Sequence, residues 1–395
     1  MGIATHNRPR LRAAALAICV PLLTAAPATP IVPFADTGDL FVLDRGNSSV
    51  VRIDSNGVPT VAVSQAEIVG INGGSSPTFA DTGIAFDAAG NMYFADANQD
   101  NIYKRTPNGA LTILVAGADL AAASATGSEA RPEGLAFGSD GQLYVVDDNN
   151  NTVLRVDPDS GAASLFRSNA QLLALKAAGA TSFNPESGII GTPDGKIYVA
   201  DEGGTEPRGV VELDIANSAN DGLLTSGGEI TGSPHFMTRG PTGDLFLADP
   251  NSATSIDQIL RIDPDTGDVT VFLDEAQIIA AVGDPLVTNI SPDAGIAFDD
   301  AGNFYLAEEL SDSILRWDVD DFALGTIDTA SGSVFTSRAA LEAAFGIGGN
   351  TIRLDAGIAF APFIESAAVP EPTGLGLFAT ALIGLGWARR RRVTA

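Results

Sequence analysis

The sequence predicts an all-β fold, a six-bladed β-propeller of four-stranded blades. One segment occurs six times: a turn glycine, an alternating apolar strand that ends in Asp or Glu, a polar loop and another strand. The turn glycines lie 48 to 59 residues apart, at Gly38, Gly90, Gly141, Gly195, Gly243 and Gly302. A short strand of the type GIAF precedes each of the last five copies. Short strands repeated at a period near 50 are typical of propeller blades.

The short strands also predict how the ring closes. The segment AGIAFA at 356–361 has no repeat after it, and the first repeat, at 37–54, has no short strand before it. We therefore expect the C-terminal strand to complete the first blade, with both ends of the ring in that blade. The propeller should span residues 31–363, followed by a linker at 364–368.

The segments between blades carry short helical patterns. Examples are SNAQLLALKAAG at 168–179 and DEAQIIAAVG at 274–283, each led by a residue suited to an N-cap. We expect these helices in the blade connectors to narrow the mouth of the central channel. The acids that end the second strands are expected to cap the tight turns that follow; they are Asp44, Asp96, Asp147, Asp201, Asp249 and Glu308.

Residues 1–28 have the pattern of a secretory signal peptide. The basic stretch RPRLR at 8–12 precedes an apolar run at 13–26 and a small-residue cleavage site, Ala26-Pro27-Ala28. A lipoprotein signal that uses Cys19 is the alternative, but Ile18 is bulky where that signal has a small residue. Because Cys19 is the only cysteine, the body of the protein has no disulfide and no thiolate site.

The C-terminal segment 369–395 combines three features. Val369 precedes Pro370, Glu371 and Pro372, an uncharged run extends from Thr373 to Ala388, and a cluster follows of Arg389, Arg390, Arg391 and Arg392. The run is shorter than the roughly 20 residues of a comfortable membrane span, and the arginines favour the cytoplasmic side. A plain C-terminal membrane anchor is one interpretation.

This segment closely resembles the PEP-CTERM sorting signal. The resemblance implies that an exosortase recognises the Pro-Glu-Pro motif and processes the tail. It further implies export to a Gram-negative cell surface or extracellular matrix, with transient membrane anchoring by the C-terminal segment before processing.

The repeat resembles NHL-type propellers and, more loosely, the gluconolactonase family. The pattern G-[IL]-A-F-D-x-x-G-N-x-Y-x-A-D carries the resemblance, over residues 37 to 362. It implies the fold and says little about activity, because propellers support many functions.

The acidic composition limits the partners. The formal net charge is −27, and the stretch 31–372 holds 22 − 7 = 15 basic and 49 acidic residues, a net charge of −34. Such a surface repels nucleic acid and anionic lipid. It favours cations, basic partners or simple solubility.

Polar residues at the starts of the inner strands are expected to form a ring around the channel mouth. They are Asp81, Glu133, Glu186, His235, Asp293 and Asp355. Carboxylates this close raise one another's pKa or require a cation, and their oxygens suit Ca²⁺ or Mg²⁺. The alternative is a structural or solvated ring without metal. Gluconolactonase-like metal sites use acidic and amide residues at comparable places, whereas this ring has no Asn.

Three functions are consistent with these features. The first is a surface or matrix binding module without catalysis, whose ligand is a cation, an extracellular polysaccharide, a peptide or a surface protein. The second is a metal-dependent hydrolase or lactonase, in which the cation polarises a carbonyl and activates water. A purely structural envelope protein is a third. The single body histidine, His235, excludes a three-His zinc site within one chain.

Overall fold

The computed structural model describes residues 38–176, 180–203, 208–227, 230–250, 257–346 and 352–362. These residues form six four-stranded antiparallel sheets, the blades of a propeller, and one additional two-stranded hairpin. The predicted signal peptide, the linker and the sorting signal lie outside the described residues, so their boundaries stay predictions.

The strands follow one another blade by blade. Blade 1 contains β1 (Leu40–Asp44), β2 (Ser49–Ile53) and β3 (Pro59–Val63). Blade 2 contains β4 (Ile84–Phe86), β5 (Met92–Asp96), β6 (Asn101–Arg105) and β7 (Leu111–Val115). Blade 3 contains β8 (Pro132–Phe137), β9 (Leu143–Asp147), β10 (Thr152–Val156) and β11 (Ala163–Arg167). Blade 4 contains β12 (Pro185–Gly191), β13 (Lys196–Asp201), β14 (Gly209–Asp214) and β15 (Gly222–Ser226).

The last two blades complete the ring. Blade 5 contains β16 (Met237–Arg239), β17 (Leu245–Asp249), β18 (Gln258–Ile262) and β19 (Val269–Leu273). Blade 6 contains β20 (Ile296–Phe298), β21 (Phe304–Glu308) and β22 (Ser313–Trp317), then the hairpin strands β23 (Val319–Asp321) and β24 (Thr326–Ile327), and finally β25 (Ser333–Thr336). The final strand, β26 (Ile358–Phe360), belongs to blade 1.

The predicted closure is confirmed. Strand β26 pairs with β1 in antiparallel register, with Leu40 opposite Phe360 and Val42 opposite Ile358. Beyond the strand, the backbone N–H of Ala361 donates to the carbonyl of Asp39 at 3.0 Å. The N-terminal and C-terminal parts of the ring are therefore held in one sheet by backbone hydrogen bonds.

The hydrophobic core lies between neighbouring blades. At four of the six seams, an aromatic ring in the second strand of one blade packs on the phenylalanine that ends the next blade's inner strand. The ring centroids are 4.7 to 5.1 Å apart in the pairs Phe41–Phe86, Tyr93–Phe137, Phe246–Phe298 and Tyr305–Phe360. The repeated aromatic and Phe positions in the sequence thus have a direct cause, because each pair buries the face between two blades.

Five short helices occupy blade connectors, as predicted, but their contacts differ from the expectation that they narrow the channel mouth. They are α1 (Gln65–Ile71), α2 (Gly117–Ser124), α3 (Asn169–Leu175), α4 (Glu275–Val282) and α5 (Arg338–Ala344). Four of them pack on the outer strand of the following blade: α1 on β7, α2 on β11, α4 on β25 and α5 on β3. The expectation that they narrow the channel mouth is therefore wrong for these four. Among the described residues, no helix is long and apolar enough to cross a membrane.

The acids that end the second strands have a larger role than turn capping. Capping is confirmed at Asp96, which accepts from the amides of Asn98 and Gln99, and at Glu308, which accepts from Leu310 and Ser311. In addition, all six accept a backbone N–H from the connector that leads into the inner strand of the same blade. The donors are Arg353, Thr78, Arg131, Asn184, Gly232 and Ser291, at 2.8 to 3.0 Å.

We predict that Asp96→Ala lowers the free energy of unfolding by about 2–4 kcal/mol, because the amides of Thr78 and Asn98 lose their buried acceptor. Urea denaturation of residues 29–372 measures this loss. Asp159→Ala is the matched control, since the Asp159 side chain is 96% exposed, and it should stay within about 0.5 kcal/mol of the parent. Equal stability of the two variants would contradict the structural role assigned to Asp96.

Candidate functional site

The inner strands of all six blades begin on the same face of the ring, called here the mouth face. Close to their starts, neighbouring inner strands bind one another directly. The amides of Gly83 and Gly357 donate to the carbonyls of Glu133 and Thr82, both at 2.8 Å, and Gly295 donates to Ala356 at 3.0 Å. A side chain at these positions would prevent this approach, since a Cβ on Gly295 would lie 2.3 Å from the amide nitrogen of Ile358.

A small cavity lies among the inner strands. It has a volume of about 40 Å³ and is lined mainly by glycine and apolar residues, Phe236 included.

Four of the six predicted ring residues come together at the mouth. His235 Nε2 lies 2.9 Å from Glu186 Oε2, and its Nδ1 contacts Asp293 Oδ1 as an ion pair. One potential ligand atom from each of Asp81, His235 and Asp293 falls within 4.8 Å of the others. Residues from blades 2, 4, 5 and 6 thus converge on one imidazole.

The other two ring residues are held by arginines. Glu133 lies 3.2 Å from Arg131 Nε, and the same guanidinium reaches Asp148 at 2.9 Å and Asp81 at 3.9 Å. Asp355 forms an ion pair with Arg45 Nη1. The two arginines were not among the predicted site residues, although each stands next to a recognisable element: Arg131 precedes β8 and Arg45 follows β1.

Glu202 is a further candidate residue, outside the six predicted for the ring. Its carboxylate, that of Glu186 and the imidazole of His235 each offer an atom within 4.8 Å of the others. Glu202 directly follows Asp201, the acid that ends β13. Its position, one residue beyond the recurring acid and in the loop that returns to the mouth, is the signal that could have identified it.

The backbone around Asp81 shows how the mouth is held. Asp81 has φ +55°, in the left-handed region that Asp tolerates better than most residues. Its amide donates to the carbonyl of Asp355 at 3.0 Å, and its own carbonyl accepts from the hydroxyl of Ser187. Contacts from blades 1 and 4 therefore fix this blade 2 residue at the mouth.

Electrostatics at the mouth favour a protonated histidine. Burial lowers the pKa of His235, but the carboxylates of Asp293 and Glu186 outweigh it and raise the pKa well above 6.5. Burial raises the pKa of Glu133 to about 9, with Asp148 adding to the effect and Arg131 opposing it. Burial also raises the pKa values of Asp81, Glu186 and Asp355. At neutral pH the imidazole is a cation between two carboxylates, and Glu133 is neutral.

Beside this cluster lies a pocket of about 460 Å³ on the mouth face. Its acidic lining comes from Glu202, Asp257 and Asp293, with His235 on one side. Ser233, Asn289 and Ser291 add neutral polar groups, and Ile290, Leu310 and Pro250 add apolar surface. Such a lining suits a cation or a ligand that carries a positive group.

On the opposite face of the ring, three acids are paired with an arginine of their own blade. Arg52 Nε lies 2.5 Å from Asp39, Arg155 lies 2.8 Å from Asp140, and Arg261 Nε lies 3.0 Å from Asp244. An acid near the turn between the first two strands and a base on the third strand form each pair. Other acids of this face are exposed, as Asp159 is.

Comparisons with known protein families match two segments of the chain. The PEP-CTERM protein-sorting motif matches residues 368–392, and the NHL repeat matches residues 130–155. The chain carries both motifs, and the first implies an exported protein sorted by an exosortase. No curated protein sequence matches the chain significantly.

Three solved structures resemble the chain. A chain of the nidogen/laminin complex is 15% identical, with a TM-score of 0.54, over 82% of this chain and 98% of that chain. A gluconolactonase from Xanthomonas campestris is 15% identical, with a TM-score of 0.47, over 79% and 89%. A streptogramin B lyase is 18% identical, with a TM-score of 0.44, over 69% and 74%. At 15% identity, the similarity to the nidogen/laminin chain shows the fold alone. The other two structures have TM-scores under 0.5, and nothing further follows from their similarity.

We predict that the imidazole of His235 titrates well above pH 6.5. Because His235 is the only histidine in residues 29–372, its ring protons give one assignable set of NMR signals. The raised pKa means that its ion pairs stabilise the fold fully below pH 6.5, and that this contribution is lost as the pH rises through the folded-state pKa. A midpoint at or below 6.5 would show that the carboxylates of Glu186 and Asp293 do not hold the proton.

Proposed function

We propose that this exported propeller is a binding module of the cell surface or extracellular matrix, and that its ligand site is the acidic mouth. The observation that carries the proposal is the convergence of Asp81, Glu186, Glu202 and Asp293 on His235. A ring tied by backbone bonds among its inner strands supports these side chains.

A divalent cation is the ligand that we propose first, and Ca²⁺ is the probe of choice. The oxygens of Asp81 and Asp293, and those of Glu186 and Glu202, suit a hard cation. His235 fits only when it is neutral, because an imidazolium has no lone pair to offer. The cation therefore competes with the proton of His235 for the same carboxylates, and binding should release that proton.

Extracellular polysaccharide and surface proteins are the wider partners that we propose for this face. The mixed lining of the pocket, with Ser233, Asn289 and Leu310 beside the carboxylates, supports a ligand larger than a single ion. Exosortase acts on the tail and is a processing partner, separate from the mouth.

We predict that residues 29–372, freed of metal by chelation, bind Ca²⁺ in calorimetry with an affinity that rises from pH 6 to pH 9. The double variant Glu186→Gln/Asp293→Asn should bind at least about tenfold more weakly, a loss of about 1.4 kcal/mol or more. Asp159→Asn/Asp265→Asn is the control, because it removes the same charge at exposed turns away from the mouth.

Two outcomes would change the assignment. Equal weakening in the test and control variants would mean that net charge, and not the mouth, attracts the cation. Absence of binding in the parent would remove the cation site and, with it, the metal-dependent hydrolase. If Ca²⁺ binds, metal-dependent turnover of a lactone would favour the hydrolase over the binding module.

A further inference from the structure

Both ends of the described ring lie on the face opposite to the mouth. Strand β26 starts near Asp355 at the mouth and runs to Phe360, so its C-terminal end reaches the opposite face. Strand β1 is antiparallel to it, and Leu40 stands opposite Phe360. The bond from Ala361 to Asp39 fixes the exit point of the chain beside its entry point.

The chain between this exit and the sorting signal is short. Pro370 lies eight residues beyond Pro362, and the uncharged run begins at Thr373, eleven residues beyond it. At about 3.5 Å per residue, eleven residues reach at most about 38 Å. The opposite face is therefore tethered close to any membrane that the tail enters.

The same reach does not allow the mouth to turn toward the membrane. The connecting segment would first cross the width of a blade, about 14 Å for four strands, and then the length of a five-residue strand, about 17 Å. The turns on both faces add at least about 7 Å, two residue lengths. Together these distances consume the whole reach before the chain could enter a bilayer beneath the mouth.

We propose that the anchored protein is held with its mouth facing away from the membrane, so that the opposite face meets the membrane and the exosortase. This inference rests on the proposed surface location. It places ligand binding and tail processing on opposite faces, and it means that the mouth is open to ligand before and after the tail is removed.

Single-cysteine labelling tests the orientation, because the body contains no cysteine. In a Cys19→Ala background of the full chain, Ser76→Cys places a thiol in the mouth-face connector before β4, and Ala89→Cys places one in the opposite-face turn of the same blade. Both positions are exposed. Ser128→Cys and Ala301→Cys form a second matched pair in other blades. A bulky, membrane-impermeant maleimide is applied to membrane vesicles carrying the full chain and to the same protein in detergent.

We expect the mouth-face cysteines to react equally fast in vesicles and in detergent. The opposite-face cysteines should react several-fold more slowly in vesicles and recover in detergent. Slower labelling of Ser76→Cys and Ser128→Cys in vesicles, or no difference between the faces, would overturn the orientation alone, provided that the chain sediments with the membrane. A chain that does not sediment with the membrane would overturn the surface anchoring and the orientation together.

Discussion

The buried carboxylate at the end of each second strand is the constraint on which the rest of the molecule depends. Each of these six acids accepts a backbone N–H from the connector of its own blade, and that N–H lies two or three residues before a mouth residue. Asp147 thus holds Arg131, two residues before Glu133, and Asp249 holds Gly232, three residues before His235. A ring of structural acids, buried and fully used in hydrogen bonds, therefore positions the ring of mouth residues. Acids of the same residue type have different roles because the first ring accepts connector amides, whereas acids of the second lie beside Arg45, Arg131 and His235.

The glycines of the inner strands set the second constraint. Close approach of neighbouring strands requires that no Cβ intervenes, and five of the six blades meet this requirement with Gly83, Gly134, Gly188, Gly295 and Gly357. Blade 5 has Phe236 at the corresponding position, and this side chain lines the small axial cavity. The exception coincides with the histidine of the mouth, since Phe236 directly follows His235. The blade that departs from the repeat is the one that supplies the imidazole.

The repeat made the fold predictable from the sequence, whereas the ion-pair and hydrogen-bond partners of the site residues could not be predicted from it. Strand order and ring closure could be predicted because one pattern recurs six times, and the strands that each copy predicts agree with the fold of the whole ring. The position of the mouth ring was also predictable, because it depends only on where each inner strand starts. Its charge pairing was not, since Arg45 and Asp355 are 310 residues apart and meet only when the ring closes. The connector helices were misplaced for a related reason: their contacts are with the next blade, which their own sequence does not specify.

The pairing of the mouth residues changes what a ligand has to do there. Three cations, Arg45, Arg131 and His235, stand among six carboxyl groups, the five predicted acids and Glu202. The two guanidiniums are permanently charged, so His235 is the one of these three cations that can lose its charge. A cationic ligand therefore gains least where arginines already compensate the acids, near Glu133 and Asp355. It gains most at the edge formed by Glu186, Glu202 and Asp293, where the internal cation is exchangeable. The acidic ring is thus not uniform in charge. In one part arginines compensate the acids, and in the part beside His235 the proton of the imidazole can be exchanged for another cation.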